Sequence, residues 1–290
     1  MPKFVIITPA HNEEALIVHP AESIVAQTLR PLKWVVVNDA STDRTREVIE
    51  GYAKKYPFIE VVNLERAAGR HFGNKVRAFN AGLERVHGLD YEFVGNLDAD
   101  MSVDPDYFAN LVQRFQNNPR LGIAGGMVHT TIRGKFVSQE VALDSVAGAV
   151  QLFRRECFEQ IGGYRALPLG GIDTAAEIAA RMSGWETRTF PELQAREHRF
   201  TGSATASPLK SRLKEGRRLY ALGYSPMFFC MRCLYRFRER PLLVGSLVAL
   251  WGYFSSALSR KPVAMSPEMI TFLRTEQRGK LKRLFRFRTA

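Results

Sequence analysis

The sequence predicts an α/β fold, a mostly parallel sheet with helices on both faces, followed by a basic helical extension. Short apolar runs rich in β-branched residues alternate with segments of helical periodicity through the first half of the chain. Such alternation is typical of a parallel sheet that helices cover on both sides. Positive charge is concentrated at the other end of the chain, in residues 201–290.

The predicted elements follow one another in chain order. The strands of the first half are predicted at Phe4–Thr8, Trp34–Val37, Ile59–Val62 and Phe93–Leu97. The helices between them are predicted at Glu13–Gln27, Asp43–Lys55 and Asn74–Val86. The second half continues with apolar or β-rich segments at Leu121–Val128, Val150–Phe153 and Glu186–Phe190, and with a helix at Asp173–Met182. From Pro208 onwards the pattern predicts helices alone.

Charge divides the chain into two predicted domains, residues 1–200 and residues 201–290. The first part has 23 Lys and Arg residues against 25 Asp and Glu residues, a net charge of −2. The second has 18 Lys and Arg residues against four Glu residues, a net charge of +14. This asymmetry predicts an anionic partner for the second part, either nucleic acid or a layer of lipid headgroups.

The cysteine content and the start of the chain indicate a compartment. Cys157, Cys230 and Cys233 are too few for a disulfide framework, and an odd number suits a reducing environment. Residues 1–7 predict a strand instead of the charged and apolar regions of a signal peptide. We therefore expect a cytoplasmic protein.

Two aspartates separated by one residue, Asp98 and Asp100, follow an apolar strand. Aspartate is a poor strand residue, so this pair needs a reason. At the end of a strand the two carboxylates can converge on a hard divalent cation that also binds diphosphate oxygens. A solvated turn is the alternative for an isolated pair of this kind.

Polar residues also end the first two strands. Asp39 lies at the end of the second strand, where its carboxylate can accept a hydrogen bond from the imide N–H of a pyrimidine. Asp43 or Ser41 can cap the helix that follows. At the end of the first strand, Pro9 is expected to break the strand and Asn12 to cap the next helix. In parallel sheets, ligands bind beyond such strand ends.

Together these segments resemble glycosyltransferase family 2, whose members have the GT-A fold. The resemblance covers about residues 3–200, and its motifs occur in the order of that family. They are Ile7-Thr8-Pro9-Ala10-His11-Asn12-Glu13, Val37-Asn38-Asp39-Ala40-Ser41-Thr42-Asp43, Ala78-Phe79-Asn80-Ala81-Gly82 and Asp98-Ala99-Asp100.

The resemblance implies a site that binds a nucleoside-diphosphate sugar. Asp39 would face the base, Asp98 the ribose or sugar, and Asp100 would bind the Mn²⁺ or Mg²⁺ that holds the diphosphate. The remaining residues expected at the donor site are Pro9, Asn12, Glu13, Gly162 and Gly163. Basic residues near the third strand (Arg66, Arg70 and Lys75) could contact phosphates, but solvation at the surface is the favoured interpretation for each.

The resemblance also implies a catalytic base and a second metal ligand. Ile172-Asp173 occupies the place of a Glu-Asp pair in the family, so the glutamate is missing and the aspartate remains as the expected base. Glu177, one helical turn later, is the rival base, although a solvated helix residue is the favoured interpretation. His198 falls where many GT-A enzymes have a C-terminal histidine ligand.

These parts imply one chemistry. The metal would neutralise the departing diphosphate, and the base would take the proton of the acceptor hydroxyl as it attacks the anomeric carbon. A single base without a second nucleophile favours inversion. The Gln-x-x-Arg-Trp motif of processive synthases is absent from the sequence, which favours transfer of one sugar to a lipid-linked or glycan acceptor.

The basic extension is expected to bind the surface of an anionic membrane at its cytoplasmic face. Its run from Leu242 to Leu258 is uncharged but short for a span, and basic residues stand on both sides of it. Aromatic and basic residues in helical segments favour the headgroup layer over nucleic acid. A helical subdomain packed on the catalytic domain is the alternative.

The sequence leaves three alternative functions. A sugar-nucleotide pyrophosphorylase would need a glycine-rich loop after the first strand, and residues 8–14 contain no glycine. A non-catalytic protein that binds nucleic acid is disfavoured because the basic residues alternate with a long uncharged apolar run, which suits lipid better than a phosphate backbone. A degenerate, non-catalytic member of the family is disfavoured by the intact Asp98, Asp100 and Asp173.

Overall fold

The computed structural model describes residues 2–65, 73–132, 135–138, 142–199, 207–238 and 243–286. The chain forms two compact units. One comprises Met1–Ala166 with Ile172–Ser203, and the other comprises Leu167–Gly171 with Ala204–Ala290.

The first unit is built on a single mixed sheet. Its described strands are β1 (Phe4–Ala10), β2 (Lys33–Asp39), β3 (Ile59–Leu64), β4 (Phe93–Asn96), β5 (Met101–Val103), β6 (Leu121–Ile132), β7 (Lys135–Ser138), β8 (Leu152–Arg154) and β9 (Glu186–Glu197). The strand order is β3-β2-β1-β4-β8-β6-β9-β5, with β7 paired to β6. The block β3-β2-β1-β4 is parallel throughout, as predicted, and β8 joins it in antiparallel orientation.

Six helices of this unit are described. They are α1 (Val18–Val25), α2 (Thr45–Lys55), α3 (Gly73–Glu84), α4 (Tyr107–Asn117), α5 (Arg155–Gln160) and α6 (Ile172–Met182). The central strands are almost completely buried, and the Trp34 indole donates to the Thr8 hydroxyl at 2.9 Å inside the core. That bond satisfies two polar groups that burial would otherwise penalise.

Gly82 brings α3 close to the sheet. A Cβ at this position would lie 2.6 Å from Ile7 and 3.0 Å from Val37, so only glycine permits the observed distance. The close approach places the first turns of α3 beside the carboxyl ends of β1 and β2.

Two predictions at the end of the first strand are wrong. Pro9 does not break β1, which continues to Ala10 with Pro9 opposite Val37 of β2. Pairing of β1 with β4 ends at Ile7, so beyond that point β1 has β2 as its only described neighbour, and such an edge tolerates a missing N–H. Helix α1 begins at Val18 instead of Glu13, because residues 11–14 form a loop that bonds to the exit of β2.

The second unit is helical, as predicted. Its described helices are α7 (Pro208–Ala221), α8 (Pro226–Tyr235), α9 (Val244–Leu258) and α10 (Pro267–Arg286). Helices α7 and α9 pack at backbone distance, since a Cβ on Gly216 would overlap the Ala249 carbonyl and one on Gly252 would overlap the Leu213 carbonyl. Among the described helices, none is long and apolar enough to cross a membrane.

A half-buried ion cluster joins α7 to α8 and to the turn at Arg236–Arg238. Glu215 lies 3.0 Å from Arg212, 2.6 Å from Arg236 and 3.6 Å from Arg232. Burial raises the pKa of Glu215, but the arginines outweigh that effect and the pKa is lowered.

Candidate active site

The loops that leave β1, β2 and β4 surround a cavity of about 350 Å³. Parallel strands deliver their carboxyl ends to one edge of the sheet, which is where such sheets bind ligands. The cavity is lined by Pro9, Ala10, His11, Glu13, Asp39, Asn74, Lys75, Ala78, Asp98, Ala99, Asp100 and Arg199. Five of the residues predicted from the sequence (Pro9, Glu13, Asp39, Asp98 and Asp100) therefore meet at one place.

Asn12 holds the β1 and β2 exit loops together. Its side-chain oxygen accepts from the Thr42 N–H at 2.8 Å, and its own N–H donates to the Ser41 hydroxyl at 3.0 Å. Its φ of 55° lies in the left-handed region, which asparagine tolerates better than most residues. Asn12 thus fixes the loop that carries Glu13 and is outside the lining of the cavity.

Asp39 is buried and paired. Its carboxylate lies 2.7 Å from the Arg77 guanidinium on α3, and its backbone carbonyl lies 2.8 Å from the His11 ring. Because Arg77 binds Oδ1, the second carboxylate oxygen remains available for a donor group such as an imide N–H.

Asp98 is held from two sides. Lys75 donates to Oδ1 at 2.6 Å, and the Asn96 amide donates to the same oxygen at 2.8 Å. The Asn96 amide also donates to the Gly148 carbonyl at 2.6 Å, so the loop before β8 takes part in placing Asp98.

Asp100 and Glu13 share one arginine. Arg199 Nε donates to Asp100 Oδ2 at 2.8 Å, and the far end of the same guanidinium donates to Glu13. Burial, and then the neighbouring Asp98 carboxylate, raise the pKa of Asp100. Burial also raises the pKa of Glu13, with Asp100 contributing in the same direction and Arg199 opposing it.

The donor set around Asp100 fits a hard divalent cation. Oxygen ligands from carboxylates suit Mg²⁺ and Mn²⁺, and Glu13 Oε2 is buried here without a hydrogen-bond partner among the described residues. Within the described ranges, no three His, Cys, Asp or Glu side chains are close enough to hold an ion by themselves. A cation at Asp100 would therefore need further ligands from a bound molecule.

His198, the expected second metal ligand, contacts Ser102 and His19 with its ring. Its Nε2 lies 2.7 Å from the Ser102 hydroxyl, and its ring stacks on His19 at 3.8 Å between centroids. The backbone N–H of His198 donates to the Asp100 carbonyl at 2.9 Å. Burial foremost, and then the neighbouring His19 and Arg196, lower the pKa of His198 to about 4, so the ring is neutral at pH 7.

Asp173 lies in the first turn of α6, outside the lining of the cavity. It packs on Gly148, where an added Cβ would come within 2.9 Å of its carboxylate. Gly148 in turn accepts from Asn96, the residue that holds Asp98. Gly148 and Asn96 thus connect Asp173 to Asp98.

The prediction of a solvated Glu177 is wrong. Its side chain is buried and accepts from the Val146 N–H at 2.6 Å and from the Ser145 hydroxyl at 3.0 Å. Burial raises its pKa to about 7, against the opposing effect of these bonds. Glu177 therefore holds the loop that contains Gly148.

Gly162 and Gly163 end α5 and face another cavity, of about 380 Å³. The Gly163 N–H donates to the Phe158 carbonyl at 2.9 Å, and both glycines have positive φ, as in glycine-terminated helices. The structure does not bring them to the cavity that holds Asp98 and Asp100.

Sequence reasoning missed the cations of the site. Lys75 binds Asp98 instead of being solvated at the surface, and Arg77 and Arg199 are further cations that the motifs do not indicate. Arg77 lies two residues after Lys75 on α3, and Arg199 follows His198, but neither position signals its partner in the sequence. Arg66 and Arg70 lie outside the described residues.

The chain is similar to known proteins over this region. The family model for glycosyl transferase family 2 matches residues 5–162. The poly-beta-1,6-N-acetyl-D-glucosamine synthase of Staphylococcus epidermidis is 26% identical over 171 residues, which are 52% of this chain and 39% of that protein. The matched region is therefore less than half the length of that relative.

Solved structures share the fold. TarS 1–349 from S. aureus, in complex with UDP-GlcNAc, matches with a TM-score of 0.55 at 17% identity, over 89% of this chain and 73% of that one. The mannosyltransferase PcManGT from Pyrobaculum calidifontis, in complex with GDP-Man and Mn²⁺, matches with a TM-score of 0.58 at 20% identity, over 99% and 83%. These similarities confirm the predicted α/β fold of GT-A type.

Proposed function

The chain belongs to glycosyl transferase family 2, and on that basis we propose that it moves one sugar from a nucleoside diphosphate to an acceptor hydroxyl with inversion. The observation that carries this proposal is the meeting of Asp39, Asp98 and Asp100 at one cavity beyond the strand ends. Family membership also favours sugar transfer over the nucleotidyl transfer of a pyrophosphorylase.

Each acidic residue has a proposed role toward the donor. Asp39 faces the base, Asp98 the ribose or sugar, and Asp100 binds the metal that holds the diphosphate. Lys75 adds positive charge beside Asp98, where the sugar and diphosphate meet. The solved complexes with UDP-GlcNAc and with GDP-Man and Mn²⁺ support a donor of this class.

A divalent ion bound at this place, Mn²⁺ or Mg²⁺, would supply Lewis-acid stabilisation of the charge that grows on the leaving diphosphate. Asp100 is the proposed protein ligand, and the orphaned oxygen of Glu13 supports that location. His198 is the proposed second ligand. Its ring is neutral at pH 7 and so can accept a metal, but it would have to leave the Ser102 hydroxyl.

Asp173 is the proposed general base. It takes the proton of the acceptor hydroxyl while that oxygen attacks the anomeric carbon on the face opposite the diphosphate. Its carboxylate lies on Gly148, and the Gly148 carbonyl is bonded to the residue that fixes Asp98, which supports its nearness to the donor sugar. Glu177 holds the same loop by accepting a hydrogen bond from the Val146 N–H.

The acceptor is proposed to be a lipid-linked or glycan hydroxyl. The relatives include a polysaccharide synthase, but this chain lacks the Gln-x-x-Arg-Trp motif, so transfer of one sugar is favoured over polymerisation.

The second unit is proposed to rest on an anionic membrane at its cytoplasmic face. One side of α9 carries a series of large exposed apolar residues at helical spacing: Val244, Leu247, Trp251, Phe254 and Leu258. Trp251 is 66% exposed and Leu258 is 81% exposed. Together with the net charge of +14 in residues 201–290, this face suits a headgroup layer. Leu242, at the start of the predicted apolar run, lies outside the described residues.

A panel of UDP, GDP and dTDP sugars tests the donor proposal. We expect the full chain with Mn²⁺ to release nucleoside diphosphate from at least one donor, slowly with water and faster with acceptor. Asp98→Asn is expected to lose this release while keeping its circular dichroism spectrum. Release from every donor at the rate of the enzyme-free blank would contradict the proposal.

A further inference from the structure

Arg199 pairs with Asp100, the proposed metal ligand, and with Glu13. Its guanidinium bridges Glu13 on the β1 exit loop and Asp100 after β4, with Nε at 2.8 Å from Asp100 Oδ2. The arginine side chain is 38% exposed, whereas the carboxylate side chains of Glu13 and Asp100 are 14% and 13% exposed. The acidic groups are thus fixed within the site, and the cation reaches them from its open side.

The charges of the cavity are unequal without a ligand. Glu13, Asp39, Asp98 and Asp100 bring four carboxylates to its wall, while Lys75 and Arg199 bring two cations. Asp39 is paired with Arg77, which is outside the lining. Lys75 is bound to Asp98, so Arg199 alone serves Glu13 and Asp100 among the described cations. One oxygen of Glu13 is still without a partner in the described residues.

A divalent ion on Asp100 would compete with Arg199 in its present place. Arg199 already binds one oxygen of Asp100 and one of Glu13, and an ion on the remaining oxygens would lie beside a guanidinium that repels it. A diphosphate offers Arg199 an alternative, because guanidinium groups bind phosphate oxygens through paired N–H donors.

We propose that Arg199 is an exchangeable counter-ion. It neutralises Asp100 and Glu13 while the donor site is empty, and it moves to the diphosphate when the donor and its metal arrive. The inference rests on the proposed function. It adds Arg199 to the donor site and makes metal binding depend on the presence of the diphosphate. The metal binds weakly alone, because it must displace Arg199, and it binds well with a diphosphate that accepts the released guanidinium.

The first test measures Mn²⁺ binding to the full chain without nucleotide. The electron paramagnetic resonance signal of unbound Mn²⁺ reports how much of the ion remains free. Removing the competing guanidinium in Arg199→Gln should tighten Mn²⁺ binding about tenfold, a typical size for coupling between two ligands. Arg199→Met, which keeps the aliphatic length, repeats the measurement. Asp100→Asn should abolish the binding.

The matched control is Arg196→Gln. Arg196 lies in β9, three residues before Arg199, and pairs with Asp104 at 2.5 Å, so its removal lowers the net charge equally without freeing Asp100. We expect the Mn²⁺ affinity of this variant to equal that of the wild type. An equal gain in both variants would reduce the effect to overall charge and overturn the exchange.

The second test is calorimetric binding of inorganic pyrophosphate without metal. Here Arg199→Gln should bind about tenfold more weakly than the wild type, the reverse of its effect on Mn²⁺. Mn²⁺ and pyrophosphate affinities that both stay unchanged, or both fall, overturn the proposal. Neither measurement requires turnover, so a chain that behaves as described but transfers no sugar would refute the proposed function and leave the exchange standing.

Discussion

At the scale of single residues, the site pairs acids that lie at strand ends with cations from α3 and from the segment after β9. Asp39, Asp98 and Asp100 could be predicted because aspartate at a strand end is unusual. Lys75, Arg77 and Arg199 could not, because basic residues are common on surfaces and their partners lie far away in sequence. Glu177 was misassigned for a similar reason, since its partners lie in the loop at residues 145 and 146.

The roles of Asp173 and Glu177 can be separated by kinetics. Asp173→Asn is expected to lower turnover by about 10²–10⁴-fold, the usual contribution of a positioned base, with little change in donor binding by calorimetry. Glu177→Gln should be mild, because glutamine can still accept from the Val146 N–H. A crippled Glu177→Gln enzyme beside a nearly normal Asp173→Asn enzyme would show that the base is misassigned.

Glu177 should also make stability depend on pH. Its pKa is raised from 4.5 to about 7 in the folded chain, so the unfolded chain loses this proton first as the pH rises. Its stabilising contribution is complete below the unfolded pKa and is lost as the pH passes through about 7. Glu177→Gln should therefore match the wild type near pH ~5 and exceed it near pH ~8 by about 1–3 kcal/mol in denaturant unfolding.

The control for that comparison is Glu192→Gln. Glu192 lies at the surface beside Arg114, where an ion pair contributes little. This variant should follow the pH dependence of the wild type. If Glu177→Gln also follows it, the buried carboxyl does not titrate as described.

At the scale of elements, most strands and helices could be predicted from periodicity. The errors fall where tertiary hydrogen bonds decide the local structure. Helix α1 starts late because the Asn12 loop bonds to residues 41 and 42, and β1 continues through Pro9 because only one neighbour needs its N–H groups. The antiparallel entry of β8 into the sheet depends on contacts that no local pattern encodes.

The packing of α7 on α9 predicts that a glycine-to-alanine substitution changes stability in opposite directions at two positions. Gly216→Ala should destabilise the helical unit by about 1–3 kcal/mol, because the new Cβ would overlap the Ala249 carbonyl. Gly279→Ala on α10 has nothing within 4 Å of the new Cβ and should stabilise by about 0.5–1 kcal/mol. Thermal unfolding of both variants measures the difference, and equal effects would contradict the close helix contact.

At the scale of the whole molecule, composition alone separated an acidic part from a basic one. The change of charge near residue 200 lies close to the boundary of the two compact units. The exposed apolar side of α9 could not be predicted from composition. It depends on the small residues on the opposite side of the helix, which let that side pack closely against α7.

Membrane attachment is the prediction that belongs to this scale. Each basic residue near an anionic leaflet contributes on the order of 1 kcal/mol, and apolar side chains in the headgroup layer add to it. The chain should sediment with vesicles that contain phosphatidylglycerol, and high salt should release much of it. Trp251→Ser with Leu247→Ser should weaken this binding, and Leu32→Ser, an exposed apolar residue of the other unit, is the control. Attachment that only detergent reverses would contradict a surface location.

The most direct test of the account is donor turnover measured with and without chelator, in the wild type and in Asp100→Asn. We expect the wild type to release nucleoside diphosphate with Mn²⁺ or Mg²⁺, and excess chelator to abolish this release. We expect Asp100→Asn to be inactive under both conditions while its circular dichroism spectrum is unchanged. Full activity of the wild type in excess chelator, or of Asp100→Asn with metal, would contradict metal-dependent transfer at Asp100.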